Sequence, residues 1–167
     1  LAEEGRPVFV TDSGDNTTGG APGIYTLLLR KLMKKDLKGK KVVVAAILDK
    51  GAYEKLACHE VGEQVAVDVG INHDRDSFPV RVEGILKAKG DLMGYYSSKN
   101  DVTGHVCTVS MGDIDVVVAN GGDSFTTVNH FTRAGLDIND YDVAIVKQGY
   151  LFAELAAMAS LHIMALT

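Results

Sequence analysis

Residues 10–32 read VTDSGDNTTGGAPGIYTLLLRKL, a stretch in which Asp12, Asp15 and Asn16 stand among Gly14, Gly19, Gly20 and Gly23. An apolar run, PVFVT, precedes them, and a leucine pattern follows at helical spacing through Ile24, Leu27, Leu28 and Leu32. The loop therefore leaves the carboxyl end of a predicted strand and enters a predicted helix. In open α/β sheets ligands sit in the crevice at that edge. Glycines let a ligand approach the backbone, and a helix start favours an anion. The two carboxylates argue against a phosphate and suit a cation, an amine or a water that needs a base. The string fits neither GxxxxGK[ST] nor a clean GxGxxG. The plain alternative is that Asp12 ends a strand, Asp15-Asn16 makes a turn, and Thr18 or a neighbour caps the helix. Lys147, at the carboxyl end of the predicted strand YDVAIVK, is a second candidate. Its ammonium suits a substrate carboxylate or developing negative charge, or is simply an exposed strand-end lysine.

The histidines His59, His73, His105, His130 and His162 form no HExxH, and none pair at i, i+4. His73 with Asp74 and Asp76 makes a ligand-rich loop, INHDRD, which reads first as a solvated turn. No intrinsic metal site is expected. Cys58 and Cys107 are too few and too far apart for a disulfide framework and read as buried thiols.

A chain of 167 residues, 46% apolar and 23% charged, suits one globular domain. A net charge of −5 offers no footprint for nucleic acid, and no apolar run approaches a membrane span. The opening LAEEGRP is not a signal peptide, and the expected location is cytoplasmic. The chain starts at Leu1 and stops just after the apolar run LHIMALT, which reads as a piece cut from a longer protein.

KVVVAAIL (41–48) is a continuous apolar run, as in a strand covered on both faces, and a helix is predicted from about Ala52 to His59. Strands follow at 64–70 and at 80–90, the latter with a bulge at Gly84. A polar loop is expected at 90–104, and a hairpin over 105–120 that turns at Met111-Gly112-Asp113. Then come the loop GGDSFTT, a helix at 129–136, a strand at 141–147, a helix at 150–159 and a closing strand, HIMAL. Alternation at both ends around a strand-rich middle predicts an α/β fold, a mixed sheet with flanking helices and an antiparallel middle section.

These residues carry a resemblance. The order strand, D-x-x-D-N-x-x-G-G-A-P-G, leucine-rich helix is similar to the start of the C-terminal domain of the microcystinase C (MlrC) family of zinc metallopeptidases. AAILD (45–49), HEVGEQVAVDVG (59–70), the VRVEG strand, the GDIDVVVAN hairpin and VAIVKQGYLFAELA (143–156) follow in the family's order. The sequence departs from the pattern at Thr17, where the family usually has proline, and at Ile24, where it usually has aspartate. GGDSFTT also lacks the usual basic residue and glutamine.

The resemblance implies a bacterial two-domain peptidase or amide hydrolase whose zinc belongs to an N-terminal domain absent from this chain. Residues 1–167 would be the substrate-side domain, inactive alone. By motif match, Asp15 and Asn16 are carried over as catalytic residues. Asp12, Gly19 and Gly20 are carried over as substrate-binding residues, and Lys147 joins them as a substrate-binding candidate from its place at the strand end. The implied partners are the N-terminal domain and a peptide or amide substrate. A cleft face left bare would favour a homo-oligomer. The alternatives are a non-catalytic binding module on the same scaffold and an unrelated α/β anion-binding domain.

Overall fold

A computed structural model describes residues 7–73 and 77–166. Its eight strands are β1 (Val8–Asp12), β2 (Val42–Leu48), β3 (Gln64–Val69), β4 (Val80–Met93), β5 (Val102–Ser110), β6 (Ile114–Ala119), β7 (Val143–Val146) and β8 (Leu161–Ala165). The helices are α1 (Leu27–Leu32), α2 (Lys50–Ala57), α3 (Val128–Arg133) and α4 (Ala153–Met158). All strands belong to one sheet in the order β3-β4-β5-β6-β2-β7-β1-β8. β6, β2, β7, β1 and β8 run parallel, while β3, β4, β5 and β6 pair antiparallel. The fold is α/β with a mixed sheet, as the sequence predicts.

The central strands β2, β6 and β7 are buried along nearly their whole length because helices cover both of their faces. Each fully buried Val, Leu or Ile there contributes about 1.5–3 kcal/mol. β3 alternates exposed and buried residues, the mark of one solvated face. One core takes Leu29 from α1 and Ala52 and Leu56 from α2. The other takes Phe131 from α3 and Leu155 from α4.

This split follows from handedness. The β1-to-β2 connection moves one way along the sheet and the β7-to-β8 connection moves the other. Both are parallel crossovers, and the same right-handed twist then puts α1 and α4 on opposite faces. β1 and β7 are neighbours, and in open α/β sheets the carboxyl ends of such a pair are where ligands sit.

Several local expectations change. α1 starts at Leu27 rather than at Ile24, where the helical pattern begins, because the preceding residues fold back onto Asp15. α2 starts at Lys50, where Asp49 caps it by accepting from the N–H of Ala52 at 2.9 Å. The Asp49 carboxylate also accepts from Gly70 N–H at 2.9 Å and so ties α2 to the end of β3. Gly84 pairs in regular register with Val65, and the irregularities fall between Leu86 and Ala88 and between Leu92 and Met93. β4 runs on to Met93, which shortens the expected loop, and the hairpin turn at residues 111–113 stands as predicted. Cys107 is buried but Cys58 is exposed, because Cys58 lies just past the end of α2.

β8 ends the sheet, and Leu161, Ile163 and Met164 on it are all exposed. No helix among the described residues is long and apolar enough to cross a membrane.

Candidate functional site at the carboxyl edge of the sheet

Parallel pairing aligns Thr11 of β1 with Val146 of β7, so Asp12 and Lys147 leave their strands side by side. Lys147 Nζ donates to Asp12 Oδ2 at 2.8 Å, to Asp15 Oδ2 at 2.8 Å and to the carbonyl of Tyr25 at 2.6 Å. Those three bonds use all three protons of the ammonium. The group is 2% exposed, with Asp12 at 1% and Asp15 at 0%. In this arrangement Lys147 has no proton left for a substrate carboxylate.

The main chain of Lys147 is a second hub. Its carbonyl accepts from the N–H of Thr17 at 3.2 Å, from the Thr17 hydroxyl at 3.2 Å and from the Ser124 hydroxyl at 3.0 Å. Thr17 stands where the resemblance expects proline, and its N–H is a donor that proline lacks.

Asp15 organises the opening loop. Its Oδ1 accepts from Gly23 N–H at 2.8 Å and its Oδ2 from Tyr25 N–H at 2.7 Å. Gly23 has φ +77°, and a Cβ there would meet the Thr17 methyl at 2.7 Å. The segment therefore wraps around its own carboxylate before α1 begins.

Asn16 lies between two glycines. Its side-chain Nδ2 would be 2.6 Å from a Cβ on Gly19 and 2.6 Å from one on Gly149. Its Oδ1 accepts from the Thr18 hydroxyl at 2.7 Å, and its carbonyl accepts from the N–H groups of Gly19 and Ala21. Asn16 is half-buried, while Gly19 and Gly20 are exposed. These three are the members of the predicted set that reach solvent.

The 120–124 loop joins this edge. A Cβ on Gly122 would lie 3.8 Å from the carbonyl of Pro22. Sequence reasoning missed Gln148 and Gly149. The Gln148 amide donates to the carbonyl of Phe125 and accepts from Phe152 N–H at 3.0 Å. Gly149 accepts from the Ser13 hydroxyl at 3.3 Å. A polar residue and a glycine directly after a buried strand were the available signal.

Among the described residues no three His, Cys, Asp or Glu side chains stand together as a metal site. Asp12 and Asp15 are committed to Lys147, whose charge a metal ion would have to displace. The residues at this edge do not fit a zinc ion. His73 is described and exposed, whereas Asp74 and Asp76 of the INHDRD reading lie outside the described residues. His59, His105 and His162 are exposed.

His130 on α3 is fully buried. Its Nε2 lies 2.8 Å from the carbonyl of Gly94, an acceptor only, so Nε2 carries the proton. Nδ1 then accepts from Thr127 N–H at 3.1 Å. Burial holds its pKa below the usual histidine value, although the Gly94 carbonyl, Asp123 and Glu154 all favour the charged form. The unfolded chain thus binds a proton more readily, and the stability from neutral His130 is present above pH about 6.5. It is lost as pH falls below that value towards the depressed folded pKa. Thermal unfolding followed from pH 7.5 to 5 should show a falling midpoint whose slope flattens in His130→Gln. An equal slope in the variant would refute the assignment.

An eight-stranded α/β domain with a buried acid–lysine cluster at its carboxyl edge defines the class, and the family follows from the sequence match. The chain belongs to the MlrC C-terminus family, whose model matches residues 10–167. No curated protein matches the sequence. Among solved structures, a crystal structure of a "putative metallopeptidase" from Mesorhizobium sp. BNC1 has the same fold, with a TM-score of 0.79 and 16% identity. The likeness covers 97% of this chain and 34% of that one, so the chain spans about a third of its structural relative.

Proposed function

We propose that this chain is the substrate-side domain of a metal-dependent peptidase or amide hydrolase, and that it lines a cleft opposite a zinc site on an N-terminal domain. Family membership supports a peptidase-like setting. The observation that carries the reading further is the slot around Asn16. Its Nδ2 is pressed between two glycine backbones at the edge of the crevice, where an amide carbonyl can accept from it. Gly19 and Gly20 leave the backbone open beside it. Asp12, Asp15 and Lys147 act beneath as positioning residues, because their charges are spent on one another and on the loop. Zinc, held by the other domain, would supply an activated water there.

The anion-binding alternative loses its donors, since Asp15 takes the N–H groups of both Gly23 and Tyr25. A phosphate would have to compete with a buried carboxylate for them.

In the full-length protein, Asn16→Ala should lower turnover of a peptide amide by about 100-fold, the loss typical of one removed oxyanion donor. Gly149→Ala should act in the same direction by pushing the Asn16 amide aside. Steady-state kinetics of both variants test this, and unchanged turnover in both would overturn it.

A further inference from the structure

Parallel strands are normally covered on both faces, and one face of this sheet falls short of that. Val8 of β1 aligns with Val143 of β7 and Leu161 of β8, and Val10 aligns with Ile145 and Ile163. Aligned residues point to the same side, so two apolar rows cross the three strands. They lie on the α1 side, because Leu29 of α1 packs in the same core as Val8, Val143 and Ile145. On the opposite side of β1, Phe9 is fully buried. On the α1 side Val10 is only half-buried, and Leu161 and Ile163 are 38% and 47% exposed.

An open groove of about 300 Å³ lies there, with Leu28 and Leu32 of α1 facing Val10 and Ile145 of the sheet. Its lining is apolar except for Lys31 and Lys35, four residues apart and both exposed. Among the described residues neither ammonium, nor that of Lys34 beside them, meets a carboxylate. Residues 30–41 hold seven basic side chains against one acid, Asp36, in a chain whose net charge is −5. The rim of the groove is therefore locally positive and fits an acidic partner.

The space suits a helix. β1 and β8 together span about 10 Å, and packed helices lie about 8–10 Å apart, so one helix fits beside α1. An amphipathic helix would set its apolar stripe on Val10, Leu161 and Ile163 and turn its acids to the lysines. A second copy of this chain is a poor match. Among its described helices, α1 and α3 carry no acid, and α2 and α4 carry one each. Glu154, the acid of α4, already accepts from Val128 N–H. About two thirds of the structural relative from Mesorhizobium lies outside its likeness to this chain, which leaves ample length to supply such a helix.

We infer that this groove and the bare β1–β8 face beside it receive an acidic amphipathic helix from the part of the full-length protein outside these 167 residues. The inference shares with the function proposed above only the premise that this chain belongs to a longer protein. Seated on a face of the sheet, the helix would tie the two parts together and leave the Asn16 edge open.

Carbodiimide cross-linking of the full-length protein, which joins a lysine to a carboxylate in contact with it, tests this by peptide mapping. Lys31 and Lys35 should join to acids in one segment outside these residues, with apolar residues three and four positions from those acids. Lys31→Arg with Lys35→Arg keeps the charge but removes the amines, and should abolish the links. Lys31→Glu with Lys35→Glu should lower the unfolding midpoint of this domain within the full-length protein by about 2–4 °C more than in the chain alone. Equal shifts in the two, or no link from either lysine, overturn the inference. So do links confined to residues 1–167 of a second molecule, the mark of a self-association face. Links as expected in a full-length protein that cleaves no amide sink the hydrolase reading and leave the docking face standing. Amide cleavage without the links does the reverse.

Discussion

Lys147→Met should lower the midpoint of thermal unfolding by roughly 10 °C or more, the shift that a loss of about 3–5 kcal/mol produces in a chain of this size. Removing the ammonium takes away the buried cation that Asp12 and Asp15 both touch at 2.8 Å. It also strips a donor from the carbonyl of Tyr25. An intact buried pair is weak evidence of stability, but breaking one is costly because the orphaned charge stays in a dry site. The comparison that isolates this cause is the triple variant Asp12→Asn, Asp15→Asn, Lys147→Met, which should recover part of the loss. Arg81→Ala serves as the surface control. Arg81 and Asp68 are both more than half exposed, and such pairs contribute about 0–1 kcal/mol. Calorimetry of the variants decides it. A Lys147→Met midpoint within about 2 °C of the parent would mean that solvent reaches the cluster and that its charges are not buried together.

Gly90→Val should cost about 3 kcal/mol through forced repacking. Gly90 lies in β4 under the end of α3, and a Cβ there would sit 2.3 Å from the carbonyl of Arg133 and 2.6 Å from Cα of Ala134. Both are backbone atoms, so no side chain can rotate away. Two residues earlier, the Ala88 methyl would be 3.2 Å from a Cβ on Gly135, in the turn that follows α3. Small residues at 88 and 90 therefore let α3 lie directly on the strand. The branched side chain must lift that helix, and His130 on it would pull away from Gly94. Hydrogen exchange should report the damage first in residues 94 and 127–136. A variant with parent-like protection there would refute the close approach.

The continuous apolar runs of β2 and β7 and the alternation of β3 were legible, because burial on two faces or one writes itself into the pattern. So was the hairpin at residues 111–113, where Gly112 takes φ +81°. What escaped was long-range. β7 inserts between β1 and β2, so the edge is built from segments about 130 residues apart, and no window of sequence contains both. That is why Asp12, Asp15 and Lys147 read as groups facing a ligand. Carboxylates in a glycine loop look exposed until the lysine that neutralises them is found. Asn16 was read correctly as a loop residue, but its slot depends on Gly149 from the other end of the chain. The start of α1 shifted for a related reason. A carboxylate at residue 15 outcompeted the leucine pattern for the N–H groups of residues 23 and 25.

The last strand has a consequence for handling the molecule. β8 hydrogen-bonds to β1 on one side, and among the described residues no strand pairs with its other side. Leu161, Ile163 and Met164 stay exposed along it, with no lysine, proline or inward charge among residues 161–165 to discourage a newcomer. Such a margin is adhesive: it offers main-chain donors and acceptors in register, flanked by greasy side chains. At high concentration, chains should therefore join margin to margin, and one lysine at Ile163 should act as a repellent that keeps them apart. Sedimentation of Ile163→Lys against the parent measures this, and equal association in both would place the contact elsewhere.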